Sequence, residues 1–242
     1  MNDKPKRRRK RRTKEAIEET IDKAAITLIE SGGFSNLTVR NIAEEAKIEA
    51  VVFYNRYANI EEFIDKFVKR YDYWFTEVVK TEGKISYKEE YLHIVTNLFV
   101  SLKKNKLMQQ LLRWEIFVDN DITNRTARLR EFHTIPLVEK YKKIFKGAPF
   151  EIEVMSALII GGIYYLILHA ERTPFAGLDV NSKAGHDEIL KAIEFLGNYF
   201  FDTTSGVDGT ALDIAKRMKE KGIENDIIEE CTKVPTSILI KL

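Results

Sequence analysis

Cysteine is almost absent from this chain. Cys231 alone among 242 residues excludes an internal disulfide and a cysteine-rich metal cluster, and it suits a reducing compartment. In the tail, with no base beside it in sequence, this thiol is expected to be buried and structural. Motifs of the common enzyme classes are missing too. There is no His-Glu-x-x-His, no phosphate-cradling glycine loop and no Gly-x-Ser-x-Gly elbow, and the four histidines (His93, His133, His169, His186) are scattered without ligand spacing. No catalysis, no metal and no cofactor is therefore expected. The basic N-terminus runs into a charged helix rather than an apolar stretch, which argues against an export signal and for a cytoplasmic protein.

Long apolar runs are equally scarce. The longest, residues 154–168, is bounded by Glu153 and His169 and falls short of the ~20 residues that span a bilayer, so a buried helix and no membrane contact are expected. Within it, Gly161 and Gly162 each cost a helix about 1 kcal/mol relative to alanine, which implies that another backbone approaches closely. The helix around 186–201, with Ile189, Ile193, Leu196, Tyr199 and Phe200, is the expected partner.

Charge is plentiful but unevenly placed. The net charge is +2, yet residues 1–14 carry nine Lys/Arg against one Asp, leaving the remainder at −6. Such an arm, with Arg7, Arg8, Arg9, Lys10, Arg11 and Arg12 in succession, repels itself, and phosphate is its natural partner. A solubility tail or a membrane-surface tether is the other reading of the same charges.

Beyond the arm the pattern is helical almost throughout, which makes the fold class all-α. One stripe holds Ile17, Ile21, Ala24, Ala25, Leu28 and Ile29, and Gly32-Gly33-Phe34 closes that helix. Thr38 can cap a short helix with Ile42, Ala43 and Ala46 on one face. Another follows, with Phe53 and Tyr57 inward and Tyr54, Asn55 and Arg56 outward, and Asn59 can cap the next. The arrangement reads as a helix-turn-helix.

This order resembles the N-terminal domain of the TetR (tetracycline repressor) family. Ala25, Gly33, Phe34, Thr38, Ile42, Ala43, Ala46, Tyr54, Tyr57, Glu61 and Glu62 stand at matching places. The departures are Lys47 for the family's turn glycine, Glu49 for its capping serine, Val51-Val52 for Gly-Thr, and Ile60 for its phosphate-binding lysine. Valine offers a phosphate no hydrogen bond, and residues 15–60 sum to −4, so the arm and Arg56 are expected to supply missing contacts. The resemblance implies a dimeric cytoplasmic regulator, in particular a repressor released by a small-molecule effector, that binds an operator in double-stranded DNA through the arm, Thr38, Arg40, Lys47, Tyr54, Asn55 and Arg56. The alternative is a diverged member acting as a non-specific nucleic-acid or protein-binding module.

Four segments are expected: a basic arm (1–14), the helix-turn-helix (15–60), a helical ligand and dimerisation domain (61–204), and an accessory tail (205–242). Phe63, Phe67, Tyr71, Trp74 and Phe75 form an aromatic stripe expected to lock head to core domain. Further helices are expected from Ser86, from Leu107 and from near Thr123, the last meeting Pro136. The family likeness places an effector among Tyr91, Phe99, Trp114, Glu115, Phe117, Asn120, His133, Tyr164, Tyr165 and His169, with Trp114 and Glu115 the preferred pair. It places the homodimer interface at Leu158, Gly161, Gly162, Tyr165, Ile193, Leu196 and Phe200. The tail shows three short helical patterns and resembles a small helical module at the C-terminus of some transposase-related proteins, with Ala215, Met218, Gly222, Ile228, Thr232 and Leu242 on its pattern.

Overall fold

The computed structural model describes residues 13–72, 78–81, 83, 85–204 and 209–240, and the described elements are all helical, with no strand among them. The basic arm through Arg12, Trp74, Phe75 and Leu242 lie outside the described residues. Helix α1 (Lys14–Gly32) begins where the Thr13 hydroxyl accepts the Ala16 N–H at 3.2 Å. It ends at Gly33, whose φ of 75° lets its N–H return to the Ile29 carbonyl. After a 3-10 turn (Phe34–Asn36) come α2 (Val39–Ala46), α3 (Ala50–Tyr54) and α4 (Ile60–Tyr71). Thr38 and Asn59 cap α2 and α4 as expected, accepting from Asn41 N–H at 3.1 Å and Glu62 N–H at 2.8 Å.

Ile21, Ala25, Ile29 and Ile42 meet under this cap with an aromatic chain that runs Phe53, Tyr57, Phe63, Phe67, Tyr71, each ring 4.6 to 5.6 Å from the next. Phe63, Phe67 and Tyr71 of the expected stripe thus pack into the head's own core, and Phe67 and Tyr71 also border a cavity with Met108 and Leu111. Asp22 of α1 accepts from Arg70 of α4 at 2.6 Å, and burial still holds its carboxyl above the usual range despite that guanidinium.

The packing divides into two compact units, bounded Met1–Trp74 with Asn105–Leu129, and Phe75–Lys104 with Arg130–Leu242. The first therefore reaches past residue 60 and takes in α6 (Lys106–Phe117), which packs on α1. In the second, α5 (Tyr87–Lys104) starts with a reciprocal cap: Ser86 N–H donates to the Glu89 carboxylate at 2.8 Å while Glu89 N–H donates to the Ser86 hydroxyl. The Ser86 N–H and the Ser86 hydroxyl, both donating to that carboxylate at 2.8 Å, hold it below its usual range. Helix α7 (Asp121–Ile144) continues through Pro136 without a break. Proline removes one backbone donor, and both Pro136 and Phe132, four residues before it, are exposed.

Helix α8 (Ile152–His169) corrects the sequence reading. Only 17% of it is buried, and Val154, Ala157, Leu158, Gly161, Gly162 and Tyr165 form an exposed stripe. By length and mean hydropathy of 1.7 it would suffice to cross a membrane. A side chain added at Gly161 or Gly162 would meet nothing within 4 Å, so no backbone among the described residues approaches there. Its main neighbour among the described helices is α5, against which α9 (Lys183–Thr204) also packs. The close approach lies instead at Gly197 of α9, where a Cβ would fall 2.4 Å from Leu92 of α5. The tail forms α10 (Gly209–Glu220), α11 (Asn225–Thr232) and α12 (Thr236–Leu239), which enclose their own core of Ala215, Ile228, Val234 and Leu239. Cys231, expected to be buried, is exposed on α11.

Candidate nucleic-acid interface

Two helices joined by one left-handed residue make the site. Lys47, standing where glycine is easiest, adopts φ 52° and ψ 50°, and the Ile48 N–H then closes onto the Ala43 carbonyl at 3.0 Å. The turn geometry is kept and the charged side chain stays exposed. Phe53, fully buried, pins α3 from beneath.

What α3 presents outward is Ala50, Val51, Tyr54 and Asn55, with Val51 55% and Tyr54 54% exposed. Val51 is the residue that sequence reasoning misses, reading it only as a hydrogen bond forgone. Its spacing of three and four from Tyr54 and Asn55 is the signal that all share one face. Arg56 is a correction in the other direction. Half-buried, its Nη1 donates back to the Val52 carbonyl at 2.8 Å and its Nε is buried without a hydrogen-bond partner, so it braces the end of α3 rather than pointing outward. Exposed Arg40 is paired with Glu44 at 2.9 Å, and Thr38 is exposed with its hydroxyl committed to the cap, although that oxygen keeps a proton to donate. Arg7, Arg8, Arg9, Lys10, Arg11 and Arg12 lie outside the described residues.

The expected effector residues do not fall in one unit. Trp114, Glu115, Phe117 and Asn120 belong to the first, where Trp114 stacks on Phe34, Phe117 is 79% exposed, and Asn120 caps α7 by accepting from Ile122 and Thr123 N–H groups at 2.9 Å. The preferred pair is therefore not an effector wall of the second unit. In that unit Tyr91 is buried among Tyr141, Phe200 and Phe201, its hydroxyl 3.2 Å from Ser156, and burial raises its pKa. Phe99, fully buried, lies against the His186 ring. Tyr165 stacks on His169 at 5.2 Å beside Phe175, Tyr164 is half-buried, and His133 is exposed. A cavity of 50 Å³ in the first unit is lined by Phe34, Phe67, Val68, Tyr71, Met108 and Leu111 among others, and by none of the expected residues.

The expected dimer residues divide in the same way. Leu158, Gly161, Gly162 and Tyr165 are exposed, whereas Ile193 and Phe200 are buried within the chain and Leu196 is half-buried. The outward aromatics of α9 are instead Phe195 and Tyr199.

Residues 21–66 match the family described as bacterial regulatory proteins, tetR family. No curated protein matches the chain. Among solved structures, the chain is similar to the fatty acid degradation regulator FadR from Bacillus halodurans, at 15% identity and a TM-score of 0.57 over 78% of this chain and 96% of that one. It is similar to a TetR family transcription regulator from Marinobacter aquaeolei, at 18% identity and 0.53 over 78% and 95%. It also resembles FadR from Bacillus subtilis in complex with stearoyl-CoA, at 14% identity and 0.52 over 72% and 96%. At these identities the likeness is one of fold.

Proposed function

We propose that this chain, a regulator of the TetR type in its head and its fold, is a homodimeric cytoplasmic repressor that leaves its DNA operator when a small molecule binds. The observation that carries the reading is the α2–turn–α3 unit, which keeps its geometry around a left-handed lysine and exposes Val51, Tyr54 and Asn55 together. In a major groove these offer an apolar contact for a thymine methyl, a phenol, and an amide able to pair with adenine. Selection of bound sequences from random duplex DNA at moderate salt tests it. An inverted repeat with half-sites about one helical turn apart, roughly 10 bp, is the expected product. Failure to enrich any sequence would end the repressor reading.

Dimerisation is supported by the uncovered stripe of α8 and by Phe195 and Tyr199 on α9. Small residues flanked by large apolar ones suit the close packing of a symmetry-related helix, and a contiguous apolar face is costly to leave in water. An effector in the second unit would shift the equilibrium between DNA-bound and released dimers by as much as its affinities for the two differ. Tyr91, Phe99 and Tyr164 remain the proposed contacts, and a long acyl thioester is the first probe, given the ligand of the Bacillus subtilis FadR structure. The second reading, a diverged non-specific module, is favoured by one observation: the α3 face presents no exposed cation, and residues 15–60 sum to −4.

A further inference from the structure

We propose that the tail is a second helix-turn-helix head and that it, too, contacts double-stranded DNA. The inference rests on reading residues 38–57 as a DNA-reading head, and its basis is a repeat of that geometry in register. In each case a helix is closed by a glycine of positive φ, 75° at Gly33 and 76° at Gly222. An eight-residue helix follows, α2 in the head and α11 in the tail. A lysine then takes the left-handed conformation, φ 52° at Lys47 and 58° at Lys233. After two intervening residues a short helix begins, α3 at Ala50 and α12 at Thr236.

From Leu37 onward the counterparts lie a constant 186 residues apart, as Val39 lies from Asn225. The burial pattern keeps the same register. Leu37 and Ile223 precede the capping residues Thr38 and Glu224 and pack inward. Ile42 and Ile228 are both fully buried, as are Phe53 and Leu239. Tyr54 and Ile240 are both exposed, the latter at 69%. Across residues 37–54 and 223–240 only Ile42/Ile228, Glu44/Glu230 and Lys47/Lys233 are identical. What repeats is the pattern of inward and outward positions around a left-handed turn, which is the physical content of a helix-turn-helix. The two differ in the connection to the middle helix, where the head has a 3-10 turn and the tail has Ile223 alone between Gly222 and Glu224.

The tail completes its own core, so it needs no partner surface to bury Ala215, Ile228, Val234 and Leu239. Among the described residues its exposed cations are Lys216, Arg217, Lys221 and Lys233, set among the exposed acids Glu220, Glu224, Asp226 and Glu230. Glu229, by contrast, is turned toward the start of α12, where it accepts the Thr236 N–H at 3.0 Å. Residues 209–242 sum to zero, against −4 for residues 15–60, so a phosphate backbone meets less repulsion here than at the head.

A photoreactive benzoylphenylalanine placed at position 54 or at position 240 of the full chain tests this on a random-sequence duplex of about 60 bp, long enough for several helical turns, at low salt. DNA adducts from both positions are expected. Adducts from position 54 alone overturn the second head and leave the first standing. Adducts from neither overturn both, and adducts from position 240 to another protein copy make the tail an assembly module instead. In parallel, the variant carrying Lys216→Gln, Arg217→Gln and Lys233→Gln, checked for unchanged helicity, should show a shallower slope in log affinity against log salt. The expected decrease is about 0.9 for each phosphate no longer neutralised, and an unchanged slope overturns the inference.

Discussion

Trp114 lies flat against Phe34, ring centroids 4.4 Å apart and planes 8° from parallel. The pair joins α6 to the segment between α1 and α2, so the helix-turn-helix is supported by a residue far along the sequence. Stacked aromatic pairs are worth about 0.5–1.5 kcal/mol beyond the area they bury. A double-mutant cycle with Phe34→Ala and Trp114→Ala, followed by urea denaturation, should return a coupling of about that size. Strict additivity would mean the rings touch without stabilising the head.

Lys47 occupies a conformation that costs a residue with a Cβ about 1 kcal/mol or more. Lys47→Gly should therefore raise stability by about 1 kcal/mol while leaving the turn unchanged. A denaturation midpoint that falls on this substitution would show that the lysine side chain makes an interaction worth more than the strain.

Asn55 and Arg56 are adjacent, yet their substitutions should separate. Asn55→Ala is expected to relax base preference, since an asparagine paired with adenine contributes about 1–3 kcal/mol of discrimination. Arg56→Ala removes the donor to the Val52 carbonyl and should cost the head about 1 kcal/mol of stability, with base preference intact. Binding selection and thermal melting on the two variants resolve this, and the reverse assignment would place Arg56 at the DNA.

On α8, Gly162→Leu fills space that none of the described residues occupies. The folded monomer should be unaffected, whereas a helix packed there from a second copy should be pushed off at a cost of about 1–3 kcal/mol. Sedimentation at micromolar concentration reads the shift from dimer to monomer. A wild-type chain that sediments as a monomer would remove the dimer altogether.

Deletion of residues 4–12 removes Lys4, Lys6, Arg7, Arg8, Arg9, Lys10, Arg11 and Arg12. DNA affinity at low salt should fall sharply, and the salt dependence should flatten by about 0.9 for each phosphate the arm had neutralised. Sequence preference should persist if α3 rather than the arm reads bases. Equal affinity and slope before and after deletion would make the arm a spectator.

Local features are the legible ones. Thr38, Asn59 and Gly33 act on backbone groups within a few residues, so their chemistry alone locates the helix ends. Long-range partners are not legible in the same way. Hydrophobicity says that Trp114 and the residues around Gly161 should be covered, but not by which atoms: Trp114 is covered by Phe34 of its own unit, and the α8 stripe is left exposed among the described residues. Ile193 and Phe200 depart from the expected interface for a related reason. Helix α9 has apolar residues on two faces, and the one that turns inward carries Gly197, seated against Leu92. Arg56 eludes a sequence reading because a long side chain near a helix end can turn to solvent or fold back on a carbonyl, and the local pattern is the same for both.

The exposure of Cys231 has an experimental consequence. As the sole thiol of the chain, on the helix that corresponds to α2 in the tail, it accepts one nitroxide label per copy without any prior substitution. A symmetric dimer then holds two identical spins, and their dipolar coupling gives the separation of the two tails directly. Measured with and without operator DNA and with a trial effector, that one distance would follow where the tails travel as the dimer changes state.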